Sequence, residues 1–199
     1  CTDTTSYELN PAPPIFAEVV LDEEIQCFGG MACLRVVNVT GGNNSNFTFS
    51  VNFSDPIPID TCIMVIAGEK TINVFDGSGA ACAFTTQVTV EQPDQIIVNI
   101  SGQDVVSLGD STNILNANVS GGVGIDTILW TTDFDPLIQF ECRDSLCNDI
   151  FVYPSQNTIY TATVVDENGC IGSDDQFVEL MSIRRVYLPN VFNPNSIRG

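Results

Sequence analysis

Eight cysteines are the residues of this chain whose chemistry is easiest to anticipate. Their closest spacings join Cys27 to Cys33 and Cys142 to Cys147, in different halves of the chain. Neither spacing belongs to the doubled short motif of a structural zinc site, and there is no histidine to complete one. Because this many thiols are unusual in a reducing compartment, the cysteines predict disulfide bonds in an oxidising, extracellular space.

Acid–base chemistry has few candidates. The absence of histidine removes the commonest general base and the serine and cysteine triads. Clustered carboxylates occur in the turn 166–169 and at Asp174 and Asp175, but they lack the ordered ligand spacing of a calcium loop. A glycosidase would need an acid of raised pKa beside a sugar cleft, whereas these acids lie at turns. We therefore expect no catalytic residue, no cofactor and no metal, and a carboxylate-dependent hydrolase is the least favoured function.

The charge balance restricts the partners. Six basic residues face 25 acidic ones, which gives a formal net charge of −19. Such a polyanion is repelled by phosphate backbones and by anionic lipid. Hydrophobic residues make up 44% of the chain, enough for a core, yet the longest apolar run, near 63–67, is far shorter than the ~18 residues of a membrane span. These features predict a folded domain with an acidic surface, no nucleic-acid partner and no membrane insertion.

The elements that position these residues are predicted to be strands. Short segments of alternating β-branched and aromatic residues end at Gly, Asn, Asp or Pro, and turn signals recur about every 8 to 12 residues. No segment has the periodicity of an amphipathic helix. This pattern favours an all-β fold of tandem immunoglobulin-like β-sandwich domains. The clearest predicted strands are Arg35–Thr40, Phe47–Phe53, Thr71–Phe75, Gln87–Val90 and Tyr160–Val165.

The chain also contains an internal repeat. The strand 72–76 leads through a glycine-rich turn to Cys82, and the strand 162–166 leads through a similar turn to Cys170. Cys1 is followed by two threonines at the same spacing as Cys82, so repeat ends fall at positions 1, 82 and 170, which are 81 and 88 residues apart. That is the length of a small sandwich. We predict the last strand of a preceding repeat over 1–11, and sandwiches over 12–96 and 99–183.

Particular motifs carry a resemblance to a known family. The segments EIQCFGGMACLRVVNVTGG (24–42), GEKTINVFDGSGAAC (68–82) and VTVEQP (88–93) resemble the SprB-type repeat of Bacteroidetes surface adhesins. Residues 105–180 look like the related PKD-like or immunoglobulin-like module. The end of the chain, VYLPNVFNPN (186–195), is similar to the opening of the gliding-motility-associated C-terminal domain, the sorting signal of type IX secretion, although the usual continuation is replaced by Ser196–Gly199. The segment 186–199 is then the start of that domain.

The resemblance implies a role and its partners. It implies structural repeat modules of a secreted, extended cell-surface adhesin, filament or appendage used for attachment or gliding. The expected partners are neighbouring repeats of the same long chain, or further copies in a homo-oligomer or fibre. The alternative is a module that itself binds a glycan or a cell, which would need an exposed aromatic platform. The single tryptophan, Trp130, is expected in the core instead.

Three disulfide bonds are expected. The ends of one sandwich can meet, which favours Cys27 with Cys82. Relative to the family pattern Cys33 and Cys62 are additional, and their positions in adjacent strands favour a second bond. Local closure favours Cys142 with Cys147 and leaves Cys170 free or bonded to another chain or domain, while Cys147 with Cys170 is the alternative. Cys1 is expected to pair in the preceding repeat.

Short motifs also suggest glycosylation. Triplets of Asp, Ser or Thr and an apolar residue or Thr resemble the O-glycosylation signal of Bacteroidetes. In polar, turn-like segments they would be exposed. The candidate acceptors are Thr4, Ser111, Thr127 and Ser145.

Overall fold

The computed structural model describes residues 12–77, 83–107, 113–125, 127–133 and 140–181. Across these ranges the chain forms fifteen β-strands and no helix. The prediction of an all-β fold is therefore confirmed. In the same ranges, no helix has the length and apolar character to cross a membrane.

The chain divides into two compact units. Among the described residues, the first unit contains those up to Ile96 together with Gly121–Val123 and Glu167–Cys170. The second unit contains the remainder of 97–181. The predicted domain boundaries 12–96 and 99–183 remain predictions. The predicted segments 1–11 and 186–199 lie outside the described residues.

The first unit is a sandwich of seven strands in two sheets. One sheet has the order β1-β2-β5 and the other β4-β3-β6-β7, with antiparallel pairing throughout. In immunoglobulin terms these are an A-B-E sheet and a C′-C-F-G sheet. The strands are β1 Phe16–Glu23, β2 Ala32–Thr40, β3 Thr48–Val51, β4 Ile57–Pro58, β5 Ile63–Val65, β6 Gly68–Phe75 and β7 Ala83–Val90.

Alternate residues of these strands build the core. In β2 the side chains of Ala32, Leu34 and Val36 are buried, and in β6 Ile72 and Val74 lie opposite them from the other sheet. Successive side chains of a strand point to opposite faces, so this alternation gives each sheet one buried face. The period-2 pattern read in the sequence is thus the pattern that fills the sandwich.

The second unit has eight strands in an arrangement of the immunoglobulin type. The sheet β8-β10-β13-β12 corresponds to strands A, B, E and D, and β11-β14-β15 corresponds to C, F and G, with β9 added beside β15 in parallel. The strands are β8 Ile97–Gly102, β9 Val105–Ser107, β10 Ile114–Ser120, β11 Ile128–Thr132, β12 Phe140–Cys142, β13 Asp149–Val152, β14 Thr158–Val165 and β15 Ile171–Met181.

Large side chains from both sheets fill the second core. Trp130 on β11 is buried, as predicted for the tryptophan of an immunoglobulin strand C, and so is Tyr160 on β14. Leu115 and Ile150 face them from the other sheet and have no exposed surface. Burying side chains of this size contributes roughly 1.5–3 kcal/mol each, so the inward faces of these strands dominate the stability of the unit.

Candidate functional site

A two-glycine turn occurs at the same place in each repeat. In the first, the N–H of Gly42 donates to the carbonyl of Pro13 at 2.9 Å; in the second, the N–H of Gly122 donates to the carbonyl of Asp94 at 3.2 Å. The turn thus fixes the chain segment that enters each repeat. In the sequence, these glycine pairs belong to the recurring turn signals.

The first glycine of each pair has no room for a side chain. Gly41 has a φ of +87° and Gly121 a φ of +75°. A Cβ on Gly41 would lie 1.9 Å from the carbonyl oxygen of Pro14, and a Cβ on Gly121 would lie 2.0 Å from that of Gln95. Both backbone conformation and close approach therefore require glycine.

A buried aspartate completes the corner. Asp76 follows β6 and has no exposed surface, and its Oδ2 accepts a hydrogen bond from the N–H of Asn43 at 2.9 Å. Asp166 follows β14 at the equivalent position and is also buried. In each repeat an aspartate directly follows this strand. In the first repeat the contact with Asn43 explains its presence, because a carboxylate that accepts a backbone N–H stabilises the glycine turn.

The other candidate carboxylates also bond to protein groups. Asp174 accepts the N–H of Ile100 at 2.7 Å, and Asp175 accepts the hydroxyl of Thr161 at 2.7 Å. Within the described part of the chain, no three His, Cys, Asp or Glu side chains are grouped so that they could hold a metal ion. Asp174 and Asp175 therefore stabilise the positions of neighbouring backbone and side-chain groups.

The expected Cys27–Cys82 bond is wrong in this structure, because Cys27 is bonded to Cys170. The two Cα atoms are 5.6 Å apart and the residues are 143 positions apart in sequence. Cys82 and Cys1 lie outside the described residues. The ends of one sandwich favoured Cys82 as the partner, whereas the loop after β1 lies against the turn between β14 and β15.

Hydrogen bonds surround this disulfide inside the first unit. The side-chain amide of Asn168 donates to the carbonyl of Gln26 at 3.3 Å. The N–H of Gly29 donates to the side-chain carbonyl of Gln92 at 2.9 Å, and the N–H of Gly30 closes a turn on the carbonyl of Cys27 at 2.9 Å. We call the loop Glu24–Met31 with the turn Glu167–Cys170 the stapled corner. The loop that carries Cys27 is therefore held both by Gln92, in the linker after β7, and by the disulfide to Cys170.

The second disulfide joins neighbouring strands. Cys33 on β2 is bonded to Cys62, which directly precedes β5, and the Cα atoms are 5.4 Å apart. The predicted pairing of Cys33 with Cys62 is therefore confirmed. Close by, the guanidinium of Arg35 donates two hydrogen bonds of 2.6 Å to the carboxylate of Asp22. That hydrogen bonding lowers the pKa of Asp22 and raises the pKa of Arg35.

The third disulfide closes a loop that covers the edge of β11. Cys142 is bonded to Cys147, the local pair that the sequence analysis favoured over Cys147 with Cys170. The N–H of Ile128 donates to the carbonyl of Leu146 at 3.1 Å, and the indole N–H of Trp130 donates to the carbonyl of Cys147 at 2.8 Å. The tryptophan is therefore committed to the core and to this loop, and is not available to stack on a ligand.

Tyr160 has no exposed surface. Burial raises the pKa of its phenol well above the ordinary value, and the nearby charge of Asp133 raises it further. The neutral phenol is the form that the folded state accommodates. This agrees with a structural tyrosine in strand F.

Two of the four candidate glycosylation residues are described. Thr127, just before β11, and Ser145, inside the loop closed by Cys142 and Cys147, are both exposed. Thr4 and Ser111 lie outside the described residues. Exposure makes Thr127 and Ser145 accessible to a modifying enzyme, and their modification remains a prediction.

The chain matches no family model and no curated protein. Among solved structures it is similar to the Ig1–Ig3 ectodomain of mouse nectin-like molecule 4, at 13% identity over 88% of this chain and 67% of that one, with a TM-score of 0.42. It is also similar to the N-terminal eight Ig domains of Down Syndrome Cell Adhesion Molecule, at 12% identity over 85% of this chain and 25% of that one, with a TM-score of 0.43. A third match is to the fibronectin(III)-like modules of Clostridium thermocellum CbhA, at 12% identity over 85% and 97%, with a TM-score of 0.36.

Similarity at this level concerns the fold only. The chain spans a quarter of the length of the eight-domain structure. The assignment to an all-β, immunoglobulin-like sandwich fold stands on the strand order and pairing described above.

Proposed function

We propose that this chain is a mechanical spacer of an extended extracellular adhesive protein, and that its sandwiches keep an adhesive surface away from the cell. The observation that carries the proposal is the bond between Cys27 and Cys170. A covalent link between residues 143 positions apart decides which part of the chain is stretched when its ends are pulled, and this property suits a domain that transmits tension.

The route of the force follows from covalent connectivity. Tension applied at the two ends of the chain passes from the first residues to Cys27, across the disulfide to Cys170, and on to the last residues. The polypeptide between the two cysteines, which includes all strands from β2 to β14, carries no tension while the bond is intact. The spacer then keeps its length under pull, and only β1 and β15 lie on the stretched segments.

Location and partners follow from the same chemistry. Three disulfides persist in an oxidising space, which favours the cell exterior. A net charge of −19 keeps such modules soluble and apart from nucleic acid and anionic lipid. The proposed partners are neighbouring repeats of the same protein, and the proposed module is not an enzyme. Gliding and type IX secretion enter the proposal only through the resemblance of the sequence motifs.

A single cut in the chain tests whether the Cys27–Cys170 disulfide forms. Residues Gln103 and Asp104 are exposed between β8 and β9, and among the three described disulfides only Cys27–Cys170 joins the two sides of this point. We propose inserting a protease recognition site after Gln103 and analysing the cut protein on a denaturing gel. One band without reductant and two bands with reductant are expected.

The matched control is Cys170→Ser in the same cut protein, which should give two bands without reductant. Peptide mapping without reductant identifies the cross-linked peptides directly. If the parent protein separates into two fragments before any reductant is added, the Cys27–Cys170 bond does not form and the proposed route of force is wrong.

A further inference from the structure

The edges of the four sheets differ in how they are protected. An unpaired edge strand offers its N–H and C=O groups to a strand of another chain, and proteins normally blunt such edges. Four edges of the described sheets are protected simply by being short: β4 has two residues, and β5, β9 and β12 have three each. Strand β1 is longer, but it carries three carboxylates and two register irregularities.

The longer edges of the second unit are covered by other groups. On β8, the N–H of Ile100 is occupied by the carboxylate of Asp174. On β11, the N–H of Ile128 is occupied by the carbonyl of Leu146, in the loop closed by the third disulfide. Strand β9 pairs with the last three residues of β15, Glu179–Met181, and the preceding part of β15 carries the carboxylates of Asp174 and Asp175. Occupied donors and charged side chains of this kind make an edge less available to another strand.

Strand β7 has none of these protections in the part of the chain that the structure describes. It pairs with β6 over all eight residues without a register shift, and it is the last strand of its sheet. Its sequence, AFTTQVTV, has no charge and no proline, and five of its residues are β-branched. In an antiparallel ladder every second residue points its N–H and C=O away from the partner, so β7 presents a regular row of free backbone groups.

Within the described ranges, a cavity lies beside each end of β7. Near Ala83–Thr85 a cavity of about 370 Å³ separates the strand from Ala12–Ile15. Near Thr89 a second cavity of about 360 Å³ lies between the end of β7 and Leu21, Glu24 and Ile25. An added strand therefore has room for its side chains along the same edge of the first unit.

We propose that a second copy of this chain pairs with β7 through its own β7, in antiparallel orientation about a two-fold axis at Gln87. The strand is self-complementary in this register: Thr85 lies opposite Thr89, and Thr86 lies opposite Val88. With a net charge of −19, two copies repel each other over most of their surface, so self-association requires a segment without carboxylates. Strand β7 is such a segment, and the pair continues one sheet across both molecules.

This pairing goes beyond the spacer role, because a single chain can act as a spacer. The pairing joins two modules side by side and leaves the Cys27–Cys170 disulfide of each chain unchanged. The two proposals are tested separately. If the protein is monomeric, the β7 pairing is wrong, but the result expected for the cut chain on the denaturing gel does not change.

Charge substitution at the proposed axis tests the pairing. Gln87 is exposed, so Gln87→Glu and Gln87→Lys should leave the fold intact. Each variant alone places like charges opposite each other and should weaken the dimer at least about tenfold in sedimentation equilibrium. An equimolar mixture of the two variants places opposite charges there and should restore the dimer. Hydrogen exchange should show that protection of residues 83–90 increases with protein concentration.

The matched controls are Asn99→Glu and Asn99→Lys on the covered edge strand β8, where the same charges should leave dimerisation unchanged. All variants carry Cys1→Ser and Cys82→Ser, so that no intermolecular disulfide is mistaken for strand pairing. If the parent stays monomeric at every concentration, the proposal is overturned. It is equally overturned if the mixed charge variants stay monomeric.

Discussion

The glycine turn of the first repeat gives a quantitative test of how the fold is specified. Gly41 and Gly29 have similar left-handed backbones, with φ values of +87° and +76°. They differ in their surroundings: a Cβ on Gly41 would lie 1.9 Å from the carbonyl oxygen of Pro14, whereas nothing lies within 4 Å of a Cβ on Gly29. Substituting each by alanine separates backbone strain from steric clash within one unit.

The expected magnitudes follow from these two differences. A left-handed alanine costs roughly 1–2 kcal/mol, and this is all that Gly29→Ala should lose. Gly41→Ala should lose the same strain and, in addition, about 1–3 kcal/mol, because the backbone at Pro14 must move to admit the methyl group. The free energy of unfolding of the oxidised protein should therefore fall further for Gly41→Ala.

The assay is equilibrium urea unfolding followed by circular dichroism, without reductant. Slopes equal to that of the parent protein would show that only stability has changed. The reasoning is refuted if the two variants lose the same free energy, or if Gly29→Ala loses more. Either result would mean that the close approach of the entering segment to Gly41 does not exist in solution.

Two further predictions concern the core of the second unit. Trp130→Phe should lower the free energy of unfolding by roughly 2–4 kcal/mol, because it leaves a cavity and an unpaired carbonyl at Cys147. Leu129→Ala, at an exposed neighbouring position, is the control and should change the free energy of unfolding by less than about 0.5 kcal/mol in the same urea titration. Burial raises the pKa of Tyr160, so the folded state favours the neutral phenol. The contribution of this group to the free energy of unfolding is therefore complete below the ordinary tyrosine pKa of about 10. It is lost as the pH rises from there through the raised pKa of the folded state. Tyr160→Phe should flatten this alkaline loss in a pH series of unfolding curves, and an unchanged slope would contradict it.

Much of the fold could be predicted because period-2 burial is a local property. The alternation of apolar residues at Ile72 and Val74 indicated a strand with one buried face, and β6 has that face. The position of Trp130 in a strand pattern before the last cysteine indicated a core residue, as found.

The partner of Cys27 could not be predicted because it depends on which loops meet. Cys82 and Cys170 end their repeats in the same way, and nothing in the local sequence distinguishes them as partners. The choice is fixed by contacts distant in sequence, such as the bond from Asn168 to the carbonyl of Gln26. The role of Asp76 was missed for a similar reason, since its repeat was visible but its bond to Asn43 was not.

Pulling a single molecule by its two ends tests the spacer account most directly. With the disulfides intact, the polypeptide between Cys27 and Cys170 cannot extend, so the account predicts that extension is limited to the segments outside this pair. Reduction should then release 143 residues, or about 500 Å of contour length at roughly 3.5 Å per residue. Cys27→Ser should release most of this length without reductant. A parent chain that extends to its full length before reduction would contradict the central claim.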